Sequence, residues 1–482
     1  MSAITLFAAL YAAVLASLFA YGVNGYVLLF YRRRWRDPSA PPPERWPDVT
    51  VQIPVFNERD VVGRVLDAAA SLRYPGRLDI QLLDDSTDDT PRVAAPVLAR
   101  LGSEGVQVQH IRRDAREGFK AGALAEGLGH TDAELLLLLD ADFVPPEDFL
   151  MRAVPLFTAP EIACVQTRWG HLNREDRPLT RGQALGIDVH FYVEQRARAA
   201  AGWPVAFNGS GGLWRRSAIE DAGGWSADTL TEDLDLSYRA WLRGWRTVYA
   251  DEIECPAEIP ERMVAFKAQQ RRWARGSTAV ARKLLGPIWR ARASLGAKVQ
   301  ATLHLTHYTV HPLILLSAVL AIPLGMLTPA SSSWWTLLPP LAMATGGPVA
   351  MAIAAAREEG RPRRGLPREI ATLMLLGTGL ALSNTIAVVA GLVSPRGVFE
   401  RTPKGGRSSS YLTATDRLGI AEVALAIGCA LLALWLVARG IYTMSPFLLL
   451  YAAGLGRVGV ATLRESWGLG RQRAAMTEEV GA

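Results

Sequence analysis

The stretch ELLLLLDADF, residues 134–143, sets five consecutive leucines against two aspartates spaced i, i+2. A short run that is apolar at every position and ends abruptly in charge predicts a strand buried on both faces. Three other runs have strand length: VTVQIPV at 49–55, DIQLLDD at 79–85 and VQVQHI at 106–111. Segments of helical periodicity, 61–72 and 121–129, lie between them. Strand alternating with helix argues for a parallel α/β sheet with helices on both faces. Ligands of such sheets bind beyond the carboxyl ends of the strands. Three of the four runs end there in polar residues: Asn57 and Glu58, Asp84 and Asp85, and Asp140 and Asp142. Neither GxGxxG nor GxxxxGK[ST] is present, which argues against a dinucleotide fold and a P-loop.

Outside this region the texture changes. The chain of 482 residues is 50% hydrophobic with net charge +6 and mean hydropathy +0.13. Many arginines border apolar segments (Arg32, Arg33, Arg34 and Arg36; Arg357, Arg361, Arg363 and Arg364), so the basic balance reads as membrane topology rather than as nucleic-acid binding. The three cysteines are far apart and form no CxxC pair, against a disulfide scaffold or cysteine-based zinc site. Residues 4–30 are long enough to cross a ~30 Å hydrocarbon core, and no charged n-region or small-residue cleavage site marks them as a signal peptide. The YRRRWR that follows predicts an outside N-terminus and a cytoplasmic domain at 48–290. Further apolar segments occupy 301–327, 334–355, 370–393, 418–437 and 442–460. If all of them spanned, the basic loop 394–417 and the tail 463–482 would fall outside. Treating 370–393, with Ser383, Asn384 and Thr385 at its middle, as interfacial or re-entrant restores the positive-inside bias. The expected organisation is therefore a transmembrane helix at 1–31, the cytoplasmic domain, a membrane region at 299–462 and a cytoplasmic tail.

Within 48–290 the acids invite a chemical reading. Asp140 and Asp142 can jointly hold a hard divalent cation, and a loop with two capping aspartates is the plainer alternative. Asp84 and Asp85 can accept hydrogen bonds from a base or ribose, or form a turn. Lys120, in GFKAGAL, stands at the mouth of a helix where an ammonium can meet phosphate. Glu232 and Asp233, in TEDLDLSYRA, suit a helix N-terminus, and one of them can serve as a general base. The glycines of FNGSGGLWR permit close backbone approach to a ligand.

These motifs occur in a fixed order: Asp84–Asp85, Lys120, DxD, FNGS, TED, then Gln269-x-x-Arg272-Trp273. That succession, with VQIPVFNE, LLDDSTDDT and HFYVEQ, resembles the family 2 glycosyltransferases of the membrane-embedded, processive type. This group includes the cellulose, mannan and hyaluronan synthases, and the nearest texture is that of cellulose-synthase-like mannan and glucan synthases. The resemblance runs from about residue 47 to 276 and extends to FERTPKGG at 399–406, which looks like a gating loop, though shorter and more basic than some. It implies a GT-A-type, Rossmann-like mixed-sheet catalytic domain in the cytoplasm beside an α-helical transmembrane region. It also implies inverting transfer of hexosyl units from UDP-glucose or GDP-mannose to a growing β-glycan, coupled to export through the inner or plasma membrane. Asp84 or Asp85 would meet the nucleoside, and Lys120 and Arg272 the diphosphate. Asp140 and Asp142 would hold the donor with Mg2+ or Mn2+. Gly209, Ser210, Gln269 and Trp273 would line the acceptor side, Asp233 would be the base beside Glu232, and Phe399, Arg401, Thr402 and Lys404 would gate. Partners would be the donor, a glycan acceptor and the lipid bilayer. The rival reading is a single-addition enzyme acting on a lipid acceptor, as ceramide glucosyltransferases do.

Overall fold

The computed structural model describes residues 3–327, 338–362, 364–394 and 416–481. The expected gating residues Phe399, Arg401, Thr402 and Lys404 lie outside the described residues.

Seven strands form one sheet: β1 (Val49–Val55), β2 (Leu78–Asp84), β3 (Gln107–Arg112), β4 (Leu135–Leu138), β5 (Ile162–His171), β6 (Gly212–Arg215) and β7 (Arg246–Ala257), in the order β3-β2-β1-β4-β6-β5-β7. The long helix α1 (Ala3–Arg32) precedes them. The helices among and beside them are α2 (Val62–Ala70), α3 (Thr90–Ser103), α4 (Phe119–Gly129), α5 (Phe149–Ala153), α6 (Pro178–Val189), α7 (Arg196–Ala201), α8 (Arg216–Asp221) and α9 (Glu232–Leu242). The leucine run explains itself in β4 and its flanks. Leu135, Leu137 and Leu139 join the core under α2 and α5, while Leu136 and Leu138 join the core under α4 and α8. Both faces are covered, so no position is left for a polar residue.

The sheet is parallel across β3-β2-β1-β4, as the alternation predicts. It then departs from the parallel expectation, because β6 runs antiparallel to both β4 and β5. This reversal matters for the site. An antiparallel strand starts at the edge where its parallel neighbours end, so the residues entering β6 arrive beside those leaving β4. β5 and β7 are parallel to one another and deliver their own C-terminal ends to the same edge.

Helix α10 (Met263–Arg290) leads from the sheet to α11 (Leu295–Leu305), α12 (Val310–Leu327), α13 (Leu338–Glu358), α14 (Leu366–Gly379), α15 (Ala381–Val393), α16 (Leu418–Ala438) and α17 (Ser445–Gly481). Among the described residues, four stretches are long and apolar enough to cross a membrane: Thr5–Arg32, His307–Leu327, Leu418–Ala438 and Ser445–Gly468. The segment read as interfacial, 370–393, falls in α14 and α15, a pair bent by 48° that would make a fifth span if taken as one. Glycines bring these helices into backbone contact: Gly22 and Gly25 of α1 meet Ala344 and Gly347 of α13, Gly379 meets Gly454, and Gly419 meets Gly459. Small residues at helix crossings are what lipid-embedded helices use, where no hydrophobic force drives them together.

Candidate active site

Five of the strands that end at the common edge, β1, β2, β4, β5 and β7, contribute to one cavity of about 160 Å³. From β1 come Phe56 and Glu58, from β2 Asp85, from β4 Asp140 and Asp142, from β5 Trp169 and His171, and from β7 Glu258. The turn after β1 puts Asn57 at φ 59, and its backbone N–H donates to Ser86 Oγ at 2.8 Å. That bond ties the ends of β1 and β2 together.

At the centre, Lys120 Nζ donates to Asp140 Oδ1 at 2.5 Å and to the Gly209 carbonyl at 2.8 Å. Lys120 is brought there by the start of α4, where Gly118 (φ 70) and Phe119 (φ 52) both take left-handed backbone. Such strain in a non-glycine residue is kept where the surroundings impose it, commonly at functional sites. Burial opposes the Lys120 charge, but Asp140 and Glu232 outweigh it and raise its affinity for the proton. The Asp140 backbone N–H donates to Ser210 Oγ at 2.9 Å, so the β6 entry clamps the DxD turn. Gly209 has φ 86, and a Cβ built there would lie 2.8 Å from Asp233 Oδ2. Only glycine leaves that carboxylate its place.

Asp233 sits at the N-terminus of α9, where Oδ1 accepts the Leu234 N–H at 2.8 Å. Burial first, then the neighbouring Glu232, push its pKa up to about 7 against the pull of Lys120. Arg272 of α10 faces the same acids. Burial lowers its pKa, while Asp140, Glu232, Asp233 and Asp142 draw the other way.

A second cavity of about 370 Å³ continues from the first toward α11, α12 and α14. Asn208, Asp233, Gln269 and Trp273 line both. Its walls mix apolar side chains such as Phe191, Leu373 and Leu376 with four of the chain's seven histidines, His190, His304, His307 and His311. The segment HFYVEQ is a π-helix, His190–Gln195, inserted between α6 and α7. The wider turn is a feature frequent at functional sites.

Most of the residues singled out in the sequence meet here. Asp85, Lys120, Asp140, Asp142, Gly209, Glu232, Asp233, Gln269, Arg272 and Trp273 all line the first cavity. Asp84 does not: its carboxylate accepts from the Ser86 N–H at 2.9 Å and lies 2.9 Å from His110 Nε2. It is the last residue of β2, so its side chain leaves the opposite face from Asp85. Ser210 is likewise fully buried behind the DxD turn rather than on the acceptor side. The sequence gives no role to Arg116, Trp169, His171 or Glu258, and marks Glu58 only as a strand end and Asn208 only within FNGS. Arg116 stacks on the Phe56 ring, 3.4 Å from its centroid. Only the rule that ligands lie beyond strand ends would have pointed to them.

Residues 135–347 match the family described as Glycosyl transferase family group 2, so the chain carries a family 2 glycosyltransferase domain, here on a GT-A-type mixed sheet. Among its relatives, glucomannan 4-beta-mannosyltransferase 2 of Arabidopsis thaliana is 43% identical over 251 residues, covering 51% of this chain and 47% of the relative. Glucomannan 4-beta-mannosyltransferase 1 of Oryza sativa subsp. japonica is 41% identical over 251 residues, with coverages of 51% and 48%. The chain thus spans about half the length of the curated relatives it matches. A solved mannosyltransferase from Pyrobaculum calidifontis, in complex with GDP-Man and Mn2+, aligns with a TM-score of 0.56 at 22% identity, covering 80% of this chain and 99% of that one. That likeness is one of fold.

Proposed function

We propose that the protein is an inverting hexosyltransferase that moves sugar units from a nucleotide sugar to a β-linked glucan or mannan, and that the product leaves through the membrane region. The observation that carries the reading is that Asp233 lines both cavities while Glu232 lines only the first. A base must reach the acceptor hydroxyl while that oxygen faces the donor carbon, so it belongs where the two cavities meet, and of these two acids Asp233 alone stands there.

The donor diphosphate would lie between Lys120 and Arg272, with the nucleoside toward Asp85 and Arg116. Asp233 takes the proton of an acceptor hydroxyl as that oxygen attacks C1 of an α-linked nucleotide sugar. The C1–oxygen bond to the diphosphate breaks on the opposite face, so one displacement turns an α donor into a β product. Lys120 and Arg272 meet the charge that develops on the leaving group. Trp273 offers the acceptor ring a stacking face, and Gln269 a hydrogen bond.

A divalent cation fits this site. Seven carboxylates line the first cavity against three lysine and arginine side chains. Among the described residues no three His, Cys, Asp or Glu side chains form a cage for a metal. Asp140 and Asp142 would therefore hold the cation with donor oxygens and water completing the shell, as Mg2+ commonly requires. When bound, Mg2+ or Mn2+ would neutralise the leaving diphosphate. The relatives' names and the neighbour's GDP-Man favour GDP-mannose over UDP-glucose.

The four apolar helices among the described residues and their glycine crossings support a place in a membrane, for which we propose the inner or plasma membrane, and the arginines of YRRRWR support the sheet in the cytoplasm and the N-terminus outside. The break between α14 and α15 supports reading 370–393 as re-entrant or interfacial. Purified protein given each radiolabelled donor tests the reading. Nucleotide diphosphate release with a hydrolase-sensitive, high-molecular-weight product is expected from one donor. Label confined to an organic-extractable lipid would instead support a lipid acceptor, and no release from either donor would reject transfer.

A further inference from the structure

The second cavity has a polarity that can be derived bond by bond. Gln195 Nε2 donates to the Ala206 carbonyl at 2.7 Å, an oxygen that only accepts, and to Asn208 Oδ1 at 2.9 Å. The Asn208 amide nitrogen must then donate to His190 Nε2, 2.9 Å away. The ring proton is left on Nδ1, which faces Glu194 Oε2 at 3.0 Å. The chain ends on a carboxylate that can only accept. Although burial works to raise it, the His190 hydrogen bond, with the charge of Arg198, brings the Glu194 pKa down to about 2. Arg198 itself is buried behind the wall, only 2% exposed, and donates to the Gln300 carbonyl.

No lysine or arginine lines this cavity among the described residues. Its charged groups are Glu194 and the base Asp233, and the remaining polar groups are glutamines, Asn208, imidazoles, hydroxyls and the Trp169 and Trp273 rings. We infer that the second cavity selects an uncharged glycan, with Glu194 as the specificity-determining residue: it accepts sugar hydroxyls and repels sugars bearing carboxylate or sulfate. This rests on the reading of that cavity as the acceptor side. The physical ground is that a fixed anion in a partly dry cavity hydrogen-bonds a diol well, whereas an approaching anion meets the carboxylates of Glu194 and Asp233 and finds no lysine or arginine on the wall to pair with, Arg198 being buried behind it.

Binding to the full-length protein in detergent, read without donor, tests it. The probes are a neutral β-1,4-linked mannose hexasaccharide and the β-1,4-linked hexamer of its uronic acid. The neutral chain should bind at least ~10-fold more tightly. Glu194→Gln should bring the two within about threefold by weakening the neutral chain and admitting the acidic one. Leu373→Lys, which adds a cation to the wall from α14, should favour the acidic hexamer even if Glu194→Gln does not fold. Equal binding of both probes, binding of neither, or unchanged preference in a folded Glu194→Gln protein overturns the inference. A protein that binds with this preference yet transfers nothing upholds the selection and overturns the transfer reading. One that transfers but binds both probes alike does the reverse.

Discussion

At Asp233 two demands meet, because a base near neutral pH must be basic enough to take a proton and must still be ionised to do so. Burial and Glu232 raise its pKa to about 7. Below that pH it holds a proton and cannot accept another, so turnover should rise as pH climbs through 7. Glu232→Gln removes a like charge, lowers the Asp233 pKa and should move this limb of the pH–rate profile to lower pH. A profile unmoved in that variant would detach Asp233 from the limb. Asp233→Asn should cut turnover by the ~10²–10⁴-fold typical of general-base loss, with nucleotide affinity near normal because Lys120, Asp140, Asp142 and Arg272 remain. Gly209→Ala is a sharper probe of placement. Its methyl would press on Asp233 Oδ2 in left-handed backbone, so turnover should fall by about 10²-fold with donor binding little changed, while the backbone strain lowers the thermal midpoint modestly. Normal turnover there would mean that the base needs no such fit. The residue types of this site were legible in the sequence, but which of two adjacent aspartates faces the ligand was not. Asp84 and Asp85 differ by one step of strand alternation, and the choice is made by His110 on β3, which captures Asp84.

Among the elements, β4 was legible because burial on both faces leaves an unbroken apolar run, and β1, β2 and β3 because they are β-rich runs of strand length, although Thr50 and Gln52 in β1 and Gln81 in β2 are buried polar residues. β5, β6 and β7 were not. Gln166, Thr167 and Arg168 interrupt β5 with groups that brace the site, and β6 has only four residues, Gly212–Arg215. The π-helix also escapes a reading by 3.6-residue period, since it inserts an extra residue in the turn. Helix α10 carries Gln269, Arg272 and Trp273, and a buried charge cluster fixes its start. Lys267 Nζ lies 2.7 Å from Glu422 of α16 and 3.1 Å from Asp416, which Arg271 also meets at 2.7 Å. Lys267 and Glu422 are both fully buried. Lys267→Met would leave Glu422 uncompensated and should cost about 3–5 kcal/mol, seen as a lower thermal midpoint in detergent. Lys267→Met with Glu422→Leu should recover most of it. A single variant as stable as the parent would contradict the clamp.

Taken whole, the molecule locks a soluble sheet onto a helical bundle. Glu358 at the end of α13 pairs with Arg32 of α1 at 3.0 Å and with Arg196 of α7 at 2.8 Å. Glu359 reaches Arg174 at 2.7 Å. Exposed ion pairs stabilise little singly, but this set joins the ends of two apolar helices to the catalytic domain and fixes how the second cavity meets the bundle. The glycine crossing is the stronger tie. Gly347→Leu should drive α13 off α1, lowering the yield of folded protein extracted from membranes, whereas a substitution at Gly428, which has nothing within 4 Å, should not. Equal yields would remove the crossing from the account. A single displacement at Asp233 would fix the anomeric configuration of the first bond formed. With an α-linked nucleotide-sugar donor, NMR of the product in the first minutes of reaction should show only β-linked anomeric protons, accompanied by stoichiometric nucleoside diphosphate. An α-linked first product would contradict it.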